Sequence, residues 1–235
     1  MRLHVLGCHG PFPCANGATS GYLIEQGEQA LLVDCGSGVL GRLTARWDPA
    51  GLTAVLLSHL HFDHMSDMTV LQYYLISRGK KLRVFVPGED HSPARALLDS
   101  PAFEVLPYPE KMELAGLEIS TLPVRHPVPC RALRLTDGKR TFIYTGDTND
   151  CPELAAFARE ADLLLADGPF LEKEWKDTLP HMSASGAARL AREAGAKRLV
   201  LTHLPLQHAP ETLLGEAREF YPQAQAAYPG LTIDL

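Results

Sequence analysis

Four apolar, strand-like segments of this 235-residue sequence pass directly into histidine or aspartate. They read VLLSHLHFDH, STLPVRH, FIYTGD and LVLTH. Binding groups tend to lie on loops that a rigid scaffold positions, and in open sheets they gather beyond the carboxyl ends of strands. We therefore predict that these segment ends meet at one rim of the fold and bring together His59, His61, Asp63, His64, His126, Asp147 and His203.

The order of the predicted elements indicates the fold class. GYLIEQ and ALLVDC read as two short early strands, and MTVLQYYLISR has helical spacing. The middle third is rich in strands, the last third alternates helix and strand, and further helices are predicted at 92–99, 153–160, 183–194 and 211–220. Hairpins followed by strand–helix alternation predict an α+β protein with two mixed sheets, helices packed outside them, and a single domain over residues 1–235.

Composition and charge narrow the function class. The net charge is −6 and no block of lysine and arginine occurs, which argues against a broad surface for long nucleic acid. A small anionic substrate stays open, because bound cations can dominate the local field. The N-terminus lacks an apolar run after a basic start, and no segment approaches the length of a membrane span. Five cysteines without a CxxC pair indicate reduced thiols, so we expect a cytoplasmic protein with no membrane partner.

The segment SHLHFDHMSD, residues 58–67, has the densest group of metal-type ligands. The His-x-His spacing lets two imidazoles approach one ion while the backbone is extended, and the Asp-His pair that follows can face a second ion. A carboxylate such as Asp147 can bridge two ions with its two oxygens. Imidazole and carboxylate together suit zinc, and also manganese or iron. The sequence therefore predicts two divalent ions, with zinc as the first choice.

Taken in order, Asp34 in LLVDCGSG, SHLHFDH, His126, YTGDT and LTH resemble the five motifs of the metallo-β-lactamase superfamily. The resemblance spans nearly the whole chain and implies an αββα sandwich with a metal site at one edge of its sheets. It implies that Asp34 holds the ligand loops in place. It also implies a first ion on His59, His61 and His126, a second ion on Asp63, His64 and His203, and a bridge through Asp147.

The segment HMSASGAARLAREAGAKRLVLTH resembles the ribonuclease Z-like phosphodiesterases, in which an additional histidine opens the helix before the last metal-binding strand. His181 matches that histidine, and the resemblance implies that it stabilises charge on the phosphate or protonates the leaving oxygen. The long arm with which ribonuclease Z holds precursor tRNA has no counterpart here, since only residues 168–180 separate LLLAD from His181. The N-terminal motifs resemble compact bacterial relatives, including the atypical cyclic-nucleotide phosphodiesterases, and imply a small phosphodiester as substrate.

The predicted activity is hydrolysis of a small phosphodiester, such as a cyclic nucleotide, by a metal-bridging hydroxide. Asp63 is expected to orient the hydroxide and His181 to assist. A lactonase or a thioester hydrolase of the glyoxalase II kind shares the H-x-H-x-D-H motif and stays open. A tRNA 3′-processing endoribonuclease and a non-catalytic nucleotide-binding module stay open as well. A homodimer is the expected assembly, because twofold symmetry is the commonest among soluble oligomers.

Overall fold

The computed structural model describes residues 1–235 and contains two seven-stranded sheets. In the first sheet, β1, β2 and β3 form antiparallel neighbours, whereas β3 to β6 run parallel. The predicted strands GYLIEQ and ALLVDC are confirmed as the hairpin of β2 and β3. From one edge to the other, this sheet consists of β14 (Thr232–Asp234), β1 (Arg2–Gly7), β2 (Gly21–Gln26), β3 (Gln29–Val33), β4 (Ala54–Leu56), β5 (Leu82–Val86) and β6 (Phe103–Pro107).

The second sheet places three strand ends side by side. Strands β10, β11 and β12 are parallel neighbours, so their carboxyl ends lie at the same edge. The other half of the sheet, β7 to β10, is antiparallel. Its strands, from one edge, are β13 (Gln225–Ala226), β12 (Leu199–Thr202), β11 (Leu163–Asp167), β10 (Thr141–Tyr144), β9 (Arg131–Thr136), β8 (Leu117–Pro123) and β7 (Lys111–Leu114).

Five of the seven helices match predicted positions, but two of these five are shorter than expected. The helix predicted at 92–99 ends at Ala96, because the following amides bond three residues back in tight turns. The helix predicted at 153–160 ends at Phe157, and Glu160 then has a left-handed φ of 56°. The helices are α1 (Val39–Leu43), α2 (Phe62–Met65), α3 (Met68–Ser77), α4 (Pro93–Ala96), α5 (Pro152–Phe157), α6 (Ala184–Glu193) and α7 (Pro210–Phe220), with a 3₁₀ turn at Pro49–Gly51.

Alternate residues of β3 face two different cores. Leu31 and Val33 belong to the larger core, which contains residues of both sheets, whereas Ala30 and Leu32 belong to a second core. Successive side chains of a strand point to opposite faces, so the first sheet is buried on both sides. Each leucine buried in this way contributes about 1.5–3 kcal/mol.

Helices cover the outer faces of the two sheets. Helices α1 and α3 contribute Val39, Leu43, Met68 and Leu71 to the second core, while α6 and α7 pack into the larger core through their alanines and leucines. The layers therefore follow the order helix, sheet, sheet, helix, which confirms the predicted αββα sandwich. None of the helices combines the length and the apolar character that crossing a membrane requires.

Candidate metal centre

The predicted ligands converge at one edge of the sandwich. Strand β4 leads to His59, β8 to His126, β10 to Asp147 and β12 to His203. The backbone turns sharply at two of these ends, since His203 has a φ of 57° and Gly146, directly before Asp147, has a φ of 61°. A left-handed residue other than glycine costs on the order of 1–3 kcal/mol and is found mainly where function requires it.

A first cluster contains three histidine nitrogens. The Nδ1 atom of His61 lies 3.1 Å from Nε2 of His59 and 3.1 Å from Nε2 of His126. Tetrahedral zinc with bonds of about 2.0–2.1 Å to nitrogen holds its ligand atoms about 3.3 Å apart. The spacing of the three nitrogens therefore matches three ligands of one ion.

A second cluster contains two carboxylates and two imidazoles. His203 Nε2 lies 3.1 Å from Asp63 Oδ2 and 3.3 Å from Asp147 Oδ2, and His64 Nε2 lies 3.2 Å from Asp147 Oδ2. These separations again match the edges of a tetrahedral ligand set. The structure thus brings together all seven residues that the sequence assigned to the site.

Asp147 lies between the two clusters. Its Oδ2 atom, already in contact with His64 and His203, is also 3.7 Å from His59 Nε2. Its side chain is buried, and Oδ1 makes no hydrogen bond. Burial raises the pKa of Asp147, but His203 and His64 outweigh it and hold the pKa well below its ordinary range. An ionised carboxylate in this position can contact an ion in each cluster.

The chemistry of the donor set fits two cations. Burial lowers the pKa of His59 well below its ordinary range and that of His126 to about 4, so these imidazoles are neutral and able to bind metal. Burial also opposes the protonated form of His64, yet Asp147 and Asp34 raise the pKa of His64 well above its ordinary range. The second cluster therefore favours positive charge. In addition, His64 Nε2 is buried without a hydrogen bond, a state that costs about 1–3 kcal/mol unless another partner is supplied.

Asp34 belongs to neither cluster but orients their ligands through hydrogen bonds. Its fully buried carboxylate accepts hydrogen bonds from His64 Nδ1 at 2.8 Å, from the Ser58 amide at 2.7 Å and from the Tyr144 hydroxyl at 3.0 Å. Ser58 Oγ donates to Asp34 Oδ2 and lies 3.0 Å from Nδ1 of His59. Such outer partners fix the ring orientation of metal-binding histidines. The contacts agree with the supporting role predicted for Asp34.

His181 lies beside the second cluster and is held by a residue that the sequence analysis did not assign. Its Nδ1 donates to Asp167 Oδ2 at 2.8 Å, and its ring stacks on that of His203 with centroids 4.7 Å apart. Asp167 is fully buried and also accepts from the Thr148 amide at 2.9 Å. Burial lowers the pKa of His181, but Asp167 outweighs it and raises the pKa to about 9.

A signal for Asp167 exists in the sequence. It ends the apolar segment LLLAD in the same way that Asp147 ends FIYTGD. Its strand, β11, lies between β10 and β12, so the three strand ends bring Asp147, Asp167 and His203 together. Two other histidines pair with groups outside the two clusters: His208 with Glu174 and His9 with Cys14.

Two glycines allow the backbone to approach the ligands closely. A Cβ atom on Gly36 would lie 1.9 Å from the carbonyl oxygen of Asp63. A Cβ atom on Gly10 would lie 2.1 Å from Nε2 of His203. Any larger residue at either position would displace a predicted ligand.

Comparisons with known proteins agree with the geometry. A family model described as "Beta-lactamase superfamily domain" matches residues 29–204. A protein of Bacillus subtilis (strain 168) described as "Probable metallo-hydrolase YhfI" is 38% identical over 234 residues, which cover 94% of each chain. A "Ribonuclease Z" of Methanosarcina acetivorans is 25% identical, with 94% of this chain and 93% of that protein covered.

The solved structures show the same relationship. The crystal structure of the metallo-β-lactamase fold protein YhfI from Bacillus subtilis superposes with a TM-score of 0.94 at 34% sequence identity, and covers 99% of this chain and 98% of that one. The matched family model spans most of the chain, including the segments that end in His59, His126, Asp147 and His203. The chain therefore belongs to the β-lactamase superfamily and has the metallo-β-lactamase fold.

Proposed function

We propose that this protein is a dinuclear metal-dependent hydrolase that acts on a small phosphodiester such as a cyclic nucleotide. The observation that carries the proposal is the pair of His181 and Asp167 beside the candidate metal centre. Expulsion of an alkoxide from phosphorus needs a proton far more than expulsion of a thiolate does. A protonated imidazole at this position therefore favours a phosphodiester over a thioester as the substrate.

The names of the relatives and the shape of the chain support the same reaction class. One relative is named as a metallo-hydrolase and another as a ribonuclease, an enzyme of phosphodiester chemistry. In this chain, the segment from β11 to α6 is held close to the body of the protein. Asn149 Nδ2 donates to the Leu179 carbonyl at 2.6 Å, and Arg125 pairs with Asp177 at 2.7 Å. A compact segment here favours a small substrate over a transfer RNA.

The two clusters are the residues that would hold the metal ions. Zinc is the first choice for this mixture of imidazole and carboxylate ligands, and manganese and iron are the alternatives. Two divalent ions at this position would lower the pKa of an attacking water and neutralise charge on the phosphoryl oxygens. Asp63 lies within 3.1 Å of His203 and would orient the attacking water by accepting a hydrogen bond.

His181 would supply the proton for the leaving group. Its Nδ1 already donates to Asp167, so Nε2 is the nitrogen available to the substrate. The Asp167 carboxylate raises the pKa of His181 to about 9 and so favours the protonated imidazole. The attacking water would first lose one proton to the solvent. As its oxygen then bonds to phosphorus and the ester bond breaks, the proton on Nε2 would pass to the departing oxygen. Asp167 keeps the ring oriented throughout this transfer.

The proposal is tested with the metal-loaded protein on matched substrates. We expect turnover of bis-p-nitrophenyl phosphate and of 2′,3′- or 3′,5′-cyclic nucleotides that exceeds turnover of lactones and thioesters. Asp147→Ala should abolish turnover and reduce the bound metal. His181→Ala should keep the metal but lower kcat for the cyclic nucleotide by about 10²–10⁴-fold. The loss should be smaller for the nitrophenyl ester, because nitrophenolate leaves without a proton.

Four outcomes would contradict parts of the proposal. Unchanged turnover in the His181→Ala variant would remove the acid role of His181, and unchanged turnover in Asp147→Ala would remove the dinuclear centre. Preference for lactones or thioesters would replace the phosphodiesterase assignment with that of another hydrolase. Nucleotide binding without turnover of any ester, with each metal tried, would indicate that the protein is a non-catalytic nucleotide-binding module.

A further inference from the structure

The segment between β11 and α6 carries His181 but has little core of its own. It contains no helix or strand, and residues 172–174 and 176–178 are exposed. Segments with few buried apolar contacts open locally at a small cost in free energy. The place of His181 beside the second cluster therefore depends on groups that hold this segment from outside it.

Asn149, which is fully buried, holds the segment through both ends of its carboxamide. Its Nδ2 donates to the Leu179 carbonyl at 2.6 Å. The carbonyls of Asp177 and Lys176 lie 3.2 and 3.3 Å from the same nitrogen. Its Oδ1 accepts from Trp175 Nε1 at 3.1 Å. Because a carbonyl only accepts and an indole nitrogen only donates, these partners fix the orientation of the carboxamide.

Two more hydrogen bonds connect the segment to the site. Trp175 Nε1 also lies 3.2 Å from the carbonyl oxygen of His181. His126 Nδ1 donates to the Pro180 carbonyl at 3.2 Å. Since that carbonyl can only accept, the proton of His126 is on Nδ1, and Nε2 keeps the lone pair that metal binding needs. A shift of the segment would therefore move His181 first and would also loosen His126.

We propose that Asn149 is a positioning residue, which sets the place of His181 relative to the two metal ions. The proposal rests on the proposed phosphodiesterase function, in which His181 protonates the leaving oxygen. Asn149 follows Asp147 by two residues, and its backbone amide donates to the Arg125 carbonyl at 3.0 Å. Its backbone is thus fixed to the two loops that carry metal ligands, while its side chain holds the segment that carries the acid.

Asn149→Asp tests the proposal, because the side chain keeps its size and loses both N–H donors. A carboxylate oxygen would then face carbonyl oxygens. With metal in excess and two ions bound, we expect kcat for a cyclic nucleotide to fall by about 10–100-fold. The kcat for bis-p-nitrophenyl phosphate should fall by no more than about threefold, because nitrophenolate leaves without a proton. KM for either ester should change by no more than about threefold, since Asn149 acts through His181.

A second variant keeps the proposal testable if Asn149→Asp does not fold. Trp175→Phe retains an aromatic ring but removes the N–H that contacts both Asn149 and the His181 carbonyl. It should show the same selective loss of cyclic-nucleotide turnover. The matched control is Leu213→Val, a change at a buried leucine of α7. This variant should lower Tm through a small core cavity yet leave the ratio of the two kcat values unchanged.

Hydrogen exchange gives a readout that does not need turnover. The amides of Trp175 and Leu179 bond within the segment. In the metal-loaded Asn149→Asp variant they should exchange at least about tenfold faster, with the amides of β10 and β11 unchanged. Unchanged exchange in the segment would overturn the proposal, whichever esters the protein hydrolyses.

The kinetic outcomes separate this proposal from the proposed function. If neither ester is hydrolysed with any metal, the proposed function fails, and the exchange measurement still shows whether Asn149 holds the segment. If the unmodified protein hydrolyses both esters and the ratio of kcat values stays constant in Asn149→Asp and Trp175→Phe, the positioning role fails and the proposed function stands. Equal losses for both esters would likewise reduce Asn149 to a structural residue.

Discussion

Gly10→Ala should disable the second cluster without changing any ligand. The added Cβ atom would lie 2.1 Å from Nε2 and Cε1 of His203. Carbon contacts become favourable only at about 3.5 Å, so the imidazole or the Gly10 backbone must shift by about 1.4 Å. Metal sites tolerate deviations of only about 0.2 Å from ideal ligand distances. A misplacement of about 1 Å near the chemistry can reduce the rate by about 10²-fold.

Metal analysis after dialysis is the direct assay for this variant. We expect the unmodified protein to retain two ions per chain and Gly10→Ala to retain about one. Turnover of bis-p-nitrophenyl phosphate by Gly10→Ala should fall at least about 100-fold. Gly215→Ala is the matched control, because Gly215 lies in α7 with no atom within 4 Å of an added Cβ. Replacing a helical glycine with alanine there should stabilise the fold by about 0.5–1 kcal/mol. Two retained ions and full turnover in Gly10→Ala would refute the reasoning.

Three further substitutions test the site and the fold. Asp34→Asn removes the charge that orients His64, so metal affinity should fall by about 10–100-fold in a titration, and unchanged affinity would contradict its supporting role. Asp167→Asn should keep both ions yet lower kcat for a cyclic nucleotide by about 10–100-fold; loss of an ion would instead make Asp167 a ligand. For Asp162, burial raises the pKa, but Lys197 and other donors outweigh it and lower the pKa from 3.8 to about 2. Because the folded pKa is depressed, the stabilisation is present above about pH 4 and is lost as the pH falls towards 2. Urea unfolding should therefore show Asp162→Asn to be about 1–2 kcal/mol less stable than the unmodified protein at pH 7, after allowance for exposed partners. The gap should narrow as the pH falls to about 2 and close below it. A gap that does not change with pH would contradict this assignment.

The residues at strand ends could be predicted from the sequence because the pattern is local. An apolar run that stops at His59 or His203 indicates both the strand and the place where its ligand emerges. The alternation of Leu31 and Leu32 between two cores has the same local origin, since side chains of a strand alternate between its faces. The two mixed sheets with helices outside them and the gathering of ligands at one rim follow from such patterns, whereas the αββα sandwich was expected from the resemblance to the metallo-β-lactamase superfamily.

Other features depend on neighbours that are distant in the sequence. Asp167 reads as an ordinary aspartate at the end of a strand until the sheet order places β11 between β10 and β12. A cavity beside His61 is lined by residues far apart in the sequence, from Leu60 to Val128. The predicted lengths of α4 and α5 were wrong, because turns end both helices earlier than their composition indicates. The left-handed Glu160 is one such turn residue. Local propensity does not contain this information.

Ligands from both sheets meet in the candidate metal centre, and this has a consequence for the amount of protein as well as for its activity. The run from His59 to His64 follows a strand of the first sheet, whereas His126, Asp147 and His203 follow strands of the second. Ions held by both sets would act as noncovalent cross-links across the open edge of the sandwich. Binding to the folded state alone adds about 4 kcal/mol of stability when free metal exceeds its Kd about 1,000-fold. A cell short of the metal would then lose the chain to proteolysis, so metal supply would set its abundance.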